Sequence, residues 1–381
     1  MIYIDNSATT KPFSEVLESY TTVSQKFFGN PSSIHRIGME AEKLLIQARE
    51  QIAELLEVKS NEIYFTSGGT EGNNTVLKGI ARTFKGKGNH IITTTIEHDS
   101  IHKVMEQLAE DGFTITYVPV NKYGQVSAED IVKHIRKETI LVSVMHVNNE
   151  VGSIQPIEEI GKCLSNYPNV FFHVDGVQGI GKQPISLKKA NVDAYTISAH
   201  KFHGLKGNGV LYIKEGKRIQ PLLAGGGQEN TFRSGTENVA GAVATAKALR
   251  MQLQNQKEKM SVLTQINLYL REQLARIDGV SIHSPALGKS VAHILNFSIE
   301  GIKAEVFVHA LEERDIYIST TSACSSKTNK VSKTLLGMGV PEQIAENSFR
   351  ISLSYANTME EMEKVMAAIQ DIKEWLRGVM K

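Results

Sequence analysis

Cysteine is scarce in this chain of 381 residues, which contains only Cys163 and Cys324. Two thiols are too few for a disulfide framework or a cysteine-ligated zinc cluster. The sequence also lacks an apolar run of about 18 residues that could span a membrane, and its first residues lack the basic and apolar segments of a signal peptide. We therefore expect a cytoplasmic protein with no membrane partner.

An excess of charge of one sign is missing as well. Lys and Arg number 42 against 41 Asp and Glu, a net charge of +1, so no electrostatic footprint favours direct contact with nucleic acid. None of the twelve histidines forms H-E-x-x-H, and His283 stands where a phosphate-binding loop ending at Gly288-Lys289-Ser290 needs a glycine. The sequence predicts no metal site and no P-loop.

What the sequence does contain is a regular alternation of helical and strand-like segments from about residue 40 onward. It predicts an α/β fold with a mainly parallel sheet flanked by helices. Apolar residues recur at helical spacing over residues 41–56. Buried strands are predicted at residues 62–66, 90–94, 140–144, 170–174, 194–197 and 210–213.

The alternation of short strands and helices stops at residues 239–275, where one long helix is predicted. Strands near residues 293–297 and 350–353 follow it and indicate a smaller α+β domain. The length is also that of two domains. We place the large domain at residues 13–252, and the small domain at residues 253–381 together with residues 1–12.

Polar side chains repeatedly follow the predicted strands, and in open α/β sheets ligands bind beyond the carboxyl ends of the strands. Gly68-Gly69-Thr70 lies between a strand and a helix, where backbone N–H groups and the helix dipole favour a phosphate. A tight turn with Thr70 as the helix cap is the alternative interpretation. Asn149, Asp175, Ser198 and His200 follow other strands in the same way.

Lys201 follows an apolar strand and precedes a glycine-rich run. In a cleft, desolvation can make such a lysine nucleophilic toward a carbonyl. Asp175 lies about one strand-helix-strand unit earlier, where a carboxylate could pair with the pyridine nitrogen of pyridoxal 5'-phosphate, or simply cap a helix. His98 could stack on such a cofactor and move protons, although a structural role is commoner for a single histidine.

The two cysteines have different surroundings. Cys324 lies in the stretch 320–330, which is nearly without apolar residues and contains lysines that favour the thiolate. Cys163 lies in an apolar helical run, where a small buried side chain is the better interpretation. The sequence therefore predicts a nucleophilic Cys324 and a structural Cys163.

Short motifs run in order along nearly the whole chain. They occupy residues 3–10, 29–33, 66–71, 146–152, 173–178, 198–201, 233–236, 322–325 and 349–353. In order and spacing they resemble the NifS/IscS-like cysteine desulfurases, which are class V aminotransferases with the architecture of fold type I pyridoxal phosphate-dependent transferases. The chain departs from that pattern at Thr320-Thr321, where many relatives have Gly and Ser, and at Gly176-Val177, where Ala-Thr is common.

The resemblance implies a cofactor site. Lys201 would carry pyridoxal 5'-phosphate as a Schiff base and move the α-proton of the substrate. Asp175 would pair with the pyridine nitrogen, Gln178 with the ring hydroxyl, and His98 would stack on the ring. The phosphate would be bound by Gly69, Thr70, Ser198 and His200, joined by Thr236 from the partner subunit of a homodimer.

The resemblance also implies a reaction. Arg350, assisted by Asn149 and Asn30, would hold the carboxylate of L-cysteine through a bidentate pair. Cys324 would take the sulfur as a persulfide, L-alanine would leave, and a sulfur-acceptor protein would receive the sulfur for iron-sulfur cluster synthesis, tRNA thiolation or another thio-cofactor. Two alternatives stay open: another pyridoxal phosphate enzyme of this fold, such as a selenocysteine lyase or an aminotransferase, and a non-catalytic protein that kept the fold.

Overall fold

The computed structural model describes residues 1–320 and 331–379. The strands are β1 Ile2–Tyr3, β2 Ile63–Thr66, β3 His90–Thr94, β4 Thr114–Val118, β5 Thr139–Met145, β6 Phe171–Asp175, β7 Ala194–Ser198, β8 Gly209–Ile213, β9 Val280–Ile282, β10 Ile294–Ile299, β11 Ile316–Tyr317, β12 Ser319–Thr320 and β13 Ser348–Ser352. The helices are α1 Ser14–Lys26, α2 Arg36–Leu55, α3 Gly69–Phe84, α4 Asp99–Glu110, α5 Ala128–Lys133, α6 Ile157–Leu164, α7 Val239–Leu253, α8 Gln256–Ala275, α9 Ala304–Glu312, α10 Lys333–Gly337, α11 Glu342–Ala345 and α12 Met359–Val379.

The largest sheet has the strand order β2-β8-β7-β6-β5-β3-β4. Its strands β3 to β7 are parallel, whereas β8 is antiparallel to both of its neighbours. Strands β3, β5, β6, β7 and β8 are buried along their whole length, as expected for a sheet covered on both faces. The predicted α/β class with a mainly parallel sheet is confirmed.

This strand order positions the site. Two antiparallel steps separate β2 from β7, so β2 runs in the same direction as β7, β6, β5 and β3. The carboxyl ends of these strands therefore lie along one edge of the sheet, where α/β proteins bind their ligands. The polar residues that follow the strands in the sequence are brought to that edge.

A second, antiparallel sheet has the order β12-β13-β10-β9 and shares an apolar core with α8, α9 and α12. The start of the chain belongs to this region, since β1 pairs with β11 and Ile4 lies in the same core. The predicted domain limits, 13–252 and 253–381 with 1–12, stay a prediction. Among the helices in the described part of the chain, none has the length and apolarity to cross a membrane.

The single long helix predicted at residues 239–275 is wrong. The structure has α7 and α8, separated at Gln254-Asn255, and Asn255 has a φ of 56°. Asparagine tolerates this left-handed backbone better than most residues, so it can end one helix and start the next without glycine. Helix α2 also begins before the predicted residue 41, because His35 Nδ1 caps it by accepting from Gly38 N at 3.2 Å.

Candidate active site

A cavity of about 240 Å³ opens at the carboxyl edge of the large sheet. Its lining includes most of the residues predicted to bind cofactor or substrate: Gly69, Thr70, His98, Asn149, Asp175, Gln178, Ser198, His200, Lys201 and Arg350. They come from the ends of β2, β3, β5, β6 and β7 and the segments that follow them, and Arg350 comes from β13 in the other sheet. The cavity therefore lies where the two sheets meet.

Lys201 ends a short 3-10 turn, Ala199–Lys201, directly after β7. Its Nζ donates to the main-chain carbonyl oxygens of Ser7 and Ala8, the latter at 2.8 Å. Hydrogen bonds hold the N-terminal segment beside Lys201, since the Thr10 amide and hydroxyl both donate to the His200 carbonyl oxygen at 2.9 Å. The motif at residues 3–10 was part of the resemblance, but no role in holding the lysine was predicted for it.

Asp175 ends β6 and is buried, and both of its carboxylate oxygens accept hydrogen bonds. Asn73 Nδ2 donates to Oδ2 at 2.8 Å, and Val177 N donates to Oδ1 at 3.0 Å. These two donors fix the orientation of the carboxylate. Asn73 was missed by the sequence analysis, although its position one turn after Gly69 on α3 places it on the same side of the helix.

The turn between β2 and α3 requires both of its glycines. Gly68 has a φ of 149°, which disfavours any side chain, and a Cβ on Gly69 would lie 2.8 Å from the Val177 side chain. The N-terminus of a helix of 16 residues thus opens on the cavity with its amide groups uncovered. Gly68 occupies the cap position, so the alternative in which Thr70 caps the helix is wrong.

The contacts and the burial of the two histidines that line the cavity determine where their ring protons lie. His98 caps α4, and its Nδ1 accepts from Ser100 N at 3.1 Å, which places the ring proton of the neutral imidazole on Nε2. Burial, reinforced by the positive charge of Lys201, lowers the pKa of His200 to about 4. His200 is therefore neutral at pH 7 and can donate one hydrogen bond toward the cavity or accept one.

Arg350 is almost completely buried and already has a carboxylate partner. Its Nη2 lies 2.9 Å from Asp5 Oδ1, and its Nη1 donates to the main-chain oxygen of Asn149 at 2.9 Å. Burial raises the pKa of Asp5, while the Arg350 charge opposes that rise. Arg350 Nε has no hydrogen-bond partner among the described residues. Asp5 was not predicted, because 345 residues separate it from Arg350.

A third residue for which the sequence analysis predicted no role is Glu97, which directly precedes His98. Its Oε1 accepts from the Thr94 hydroxyl at 2.6 Å and from Met145 N at 3.0 Å, so it ties the end of β3 to the end of β5. Burial raises the pKa of Glu97 to about 8. The side chain is therefore mainly protonated at pH 7.

Two predicted residues in the described part of the chain, Thr236 and Asn30, do not line the cavity. Thr236 lines a separate cavity of about 200 Å³ together with Ser67 and Arg233. Asn30 is exposed and accepts from Ser32 N through Oδ1 at 2.9 Å. Cys324 lies outside the described residues. Cys163 lies on α6, as predicted, and packs partly buried against the largest apolar core.

Comparisons with known proteins agree with this geometry. The chain is 48% identical over 373 residues to a NifS/IcsS protein homolog of Lactobacillus delbrueckii subsp. bulgaricus, covering 98% of this chain and 97% of that protein. It is 40% identical over 379 residues to a cysteine desulfurase IscS of Dictyoglomus turgidum, covering 99% of this chain and 96% of the relative.

Solved structures give the same result. A NifS-like protein superposes with a TM-score of 0.93 at 39% identity, covering 98% of this chain and 99% of that one. The structure described as SspA in complex with cysteine superposes with a TM-score of 0.83 at 32% identity, covering 93% and 99%. The family model for aminotransferase class-V matches residues 2–365. The chain belongs to the class-V aminotransferase family, whose members depend on pyridoxal 5'-phosphate.

Proposed function

We propose that the protein is a cysteine desulfurase, which converts L-cysteine to L-alanine and takes the sulfur onto Cys324. The observation that carries the proposal is the single cavity that joins Lys201, Asp175, His98 and Arg350. Relatives that are 40–43% identical over nearly the whole chain bear the name cysteine desulfurase. A neighbour in structure is described in complex with cysteine, which supports the same substrate here.

The residues of the cavity fit pyridoxal 5'-phosphate. The uncovered amides of α3 suit its phosphate, and the carboxylate of Asp175 suits a protonated pyridine nitrogen. Gln178 donates through Nε2 to Ser7 O at 3.0 Å, while its buried Oε1 has no partner among the described residues and can accept from the ring hydroxyl. When bound, the cofactor supplies an electron sink for the charge that develops at the substrate α-carbon.

The protein residues hold and move the remaining groups. Lys201 would bind the cofactor through Nζ and, once the substrate amine displaces it, would carry the α-proton. The carbonyl oxygens of Ser7 and Ala8 position its amine beside the cavity. His98 would pack on the ring, and its cap bond to Ser100 N fixes the plane of the imidazole.

Arg350 would bind the substrate carboxylate. Its unpartnered Nε offers one donor, and its Nη2 would be shared between the substrate and Asp5. Asn30 would assist Arg350, as the resemblance implies. The Asn149 carbonyl holds the guanidinium from one side and so limits the directions from which a carboxylate can approach.

Cys324 would supply the nucleophile for sulfur. Its thiolate would attack the sulfur of the bound cysteine, so that an S–S bond forms as the substrate C–S bond breaks. This role rests on the motif Ser322-Ala323-Cys324-Ser325 and on the lysines of the stretch 320–330. The persulfide would then pass its sulfur to an acceptor protein for iron-sulfur cluster synthesis, tRNA thiolation or another thio-cofactor.

A homodimer in the cytoplasm, with the domain limits given above, completes the proposal. Thr236 lines a different cavity from Lys201, so its predicted contact with the phosphate would be made in a second copy of the chain. Large apolar side chains are exposed near the predicted Asn30 contact: Phe28 at 72%, Ile34 at 96% and Met39 at 58%. Several large apolar side chains exposed within one short stretch of the chain favour a protein interface there.

Two variants test the proposed function. Lys201→Ala should lack the yellow absorbance of the bound cofactor, whereas Cys324→Ala should keep it and yet form no L-alanine from L-cysteine. Cys163→Ser is the matched control, with absorbance and turnover like those of the unchanged protein. Alanine formation by Cys324→Ala at the normal rate would contradict the proposal, as would a colourless protein that takes up no added cofactor.

A further inference from the structure

The segment Asn148-Asn149-Glu150 lies between two parts of the structure that the proposed reaction has to bring together. On one side, the main-chain oxygen of Asn149 accepts from Arg350 Nη1 at 2.9 Å. On the other side, the side chains of Asn148 and Glu150 bond the residues around the start of α10. Helix α10 begins shortly after the stretch 320–330, which contains Cys324.

Glu150 is joined to the start of α10 through two hydroxyl groups. Ser332 caps the helix, since its Oγ accepts from Leu335 N at 3.0 Å, and its hydroxyl hydrogen is donated to Glu150 Oε2. Thr334 Oγ1 accepts from Asn148 Nδ2 at 3.2 Å, and its hydroxyl hydrogen is also directed to Glu150. Each hydroxyl thus has one donor and one acceptor, and the carboxyl oxygens of Glu150 are the acceptors for both.

The backbone of this segment is held rigidly. Asn148 Oδ1 accepts from Glu150 N at 2.9 Å and from Val151 N at 3.0 Å, which closes a tight turn. Asn148, Ser332 and Thr334 are all buried. A satisfied polar network of this kind fixes relative positions, because any shift would leave a buried group without a partner.

The electrostatic surroundings connect Glu150 with the cavity. Burial raises the pKa of Glu150, and the Ser332 hydroxyl and the Arg350 charge oppose that rise. Glu150 therefore lies close enough to sense the arginine proposed to bind substrate, while its oxygens hold the cap of α10.

We propose that Glu150 is a positioning residue for sulfur transfer. It fixes the start of α10, which follows Cys324 in the chain, relative to Arg350, and so sets how well the thiol meets the sulfur of a cysteine held by that arginine. The inference rests on the proposed function. It assigns Glu150 to the sulfur-transfer step and leaves the binding of cofactor and cysteine to the residues described above.

The test uses Glu150→Gln in the full-length protein with its cofactor. Glutamine keeps the size of the side chain but replaces one acceptor oxygen with an NH₂ group, so one of the two hydroxyls loses its acceptor. We expect kcat for alanine formation to fall about tenfold, with KM for cysteine within about threefold of the original. Thr334→Val, which removes only the shared hydroxyl, should shift kcat in the same direction by a smaller factor. Glu159→Gln is the same substitution at an exposed site on α6 and should leave both constants unchanged.

A second readout needs no turnover. Alkylation by iodoacetamide, followed at each cysteine by mass spectrometry, should change about threefold at Cys324 in Glu150→Gln. It should stay constant at Cys163, which serves as the internal control. An unchanged Cys324 rate, or a KM that rises while kcat is kept, would overturn the assignment. If the unchanged protein forms no alanine, the proposed function fails, and the alkylation rates alone then decide whether Glu150 positions the segment after Cys324.

Discussion

Replacing Asp5 by asparagine should strengthen the binding of cysteine while weakening the fold. Asp5 is the carboxylate that pairs with Arg350 at 2.9 Å, so the substrate carboxylate must approach an arginine that already has an acidic partner. Two carboxylates about 6 Å apart across a guanidinium repel each other by about 3 kcal/mol at an effective dielectric constant of about 20. Partial exposure of Asp5 reduces this value, and we expect KM for cysteine to fall about tenfold.

The same change leaves Arg350 buried without a charged partner until substrate binds. Loss of one member of a buried ion pair costs about 3 kcal/mol, so the thermal midpoint of the substrate-free protein should fall and should recover in part on addition of cysteine. The assay combines steady-state KM with thermal unfolding at several cysteine concentrations. Asp315→Asn, at an exposed acidic residue, is the control. A higher KM in Asp5→Asn would refute the reasoning, because it would mean that Asp5 orients Arg350 rather than competing for it.

Three further predictions follow from groups near the cavity or buried in the core. Asn73→Ala removes the amide that donates to Asp175 and should weaken cofactor binding about tenfold. An absorbance titration measures this affinity, and unaltered binding would contradict the prediction. Because the folded-state pKa of Glu97 is about 8 and that of an unfolded Glu is about 4.3, Glu97 contributes stability that is lost as pH rises through this window. Glu97→Gln has no group that titrates at this position. The difference in the free energy of unfolding, variant minus unchanged protein, should therefore increase from pH 5 to pH 8. A difference that does not change with pH would count against the assignment. Burial lowers the pKa of His146 and His200 to about 4, whereas an unfolded histidine has a pKa of about 6.5. The free energy of unfolding that these neutral histidines contribute above about pH 6.5 should therefore be lost as the pH falls toward 4. Urea unfolding at pH 7, 5.5 and 4.5 measures this loss, and an unchanged free energy of unfolding would disprove it.

Local pattern was sufficient to place six of the seven strands of the large sheet, all but β4, and the polar residues at their ends. The strand predicted at residues 90–94 has the bounds of β3, because its apolar and β-branched residues are flanked by polar ones. Lys201 and Asp175 were assigned to neighbouring strand ends on spacing alone, and β6 pairs with β7 in parallel. Both assignments succeeded because parallel strands joined by short connections must end at the same edge of the sheet.

Long-range contacts could not be predicted from the sequence. Strand β8 has the same apolar pattern as the parallel strands of the sheet, and nothing in that pattern shows that it runs antiparallel to its neighbours. The pairs Asp5–Arg350 and Asn73–Asp175 join residues that are 345 and 102 positions apart. The break at Asn255 was missed because the helical pattern on either side is continuous. These features depend on how elements pack, which single-residue spacing does not encode.

The most direct test follows the substrate sulfur through one turnover. The protein is mixed with less than one equivalent of L-cysteine labelled at sulfur, the reaction is stopped before any acceptor is added, and the labelled peptide is identified after non-reducing digestion. The account predicts one L-alanine formed for each label bound, with the label as a persulfide on the peptide that contains Cys324. The account would be contradicted if alanine forms while the label is released as sulfide and none is found on that peptide. Label found on Cys163 would contradict it as well.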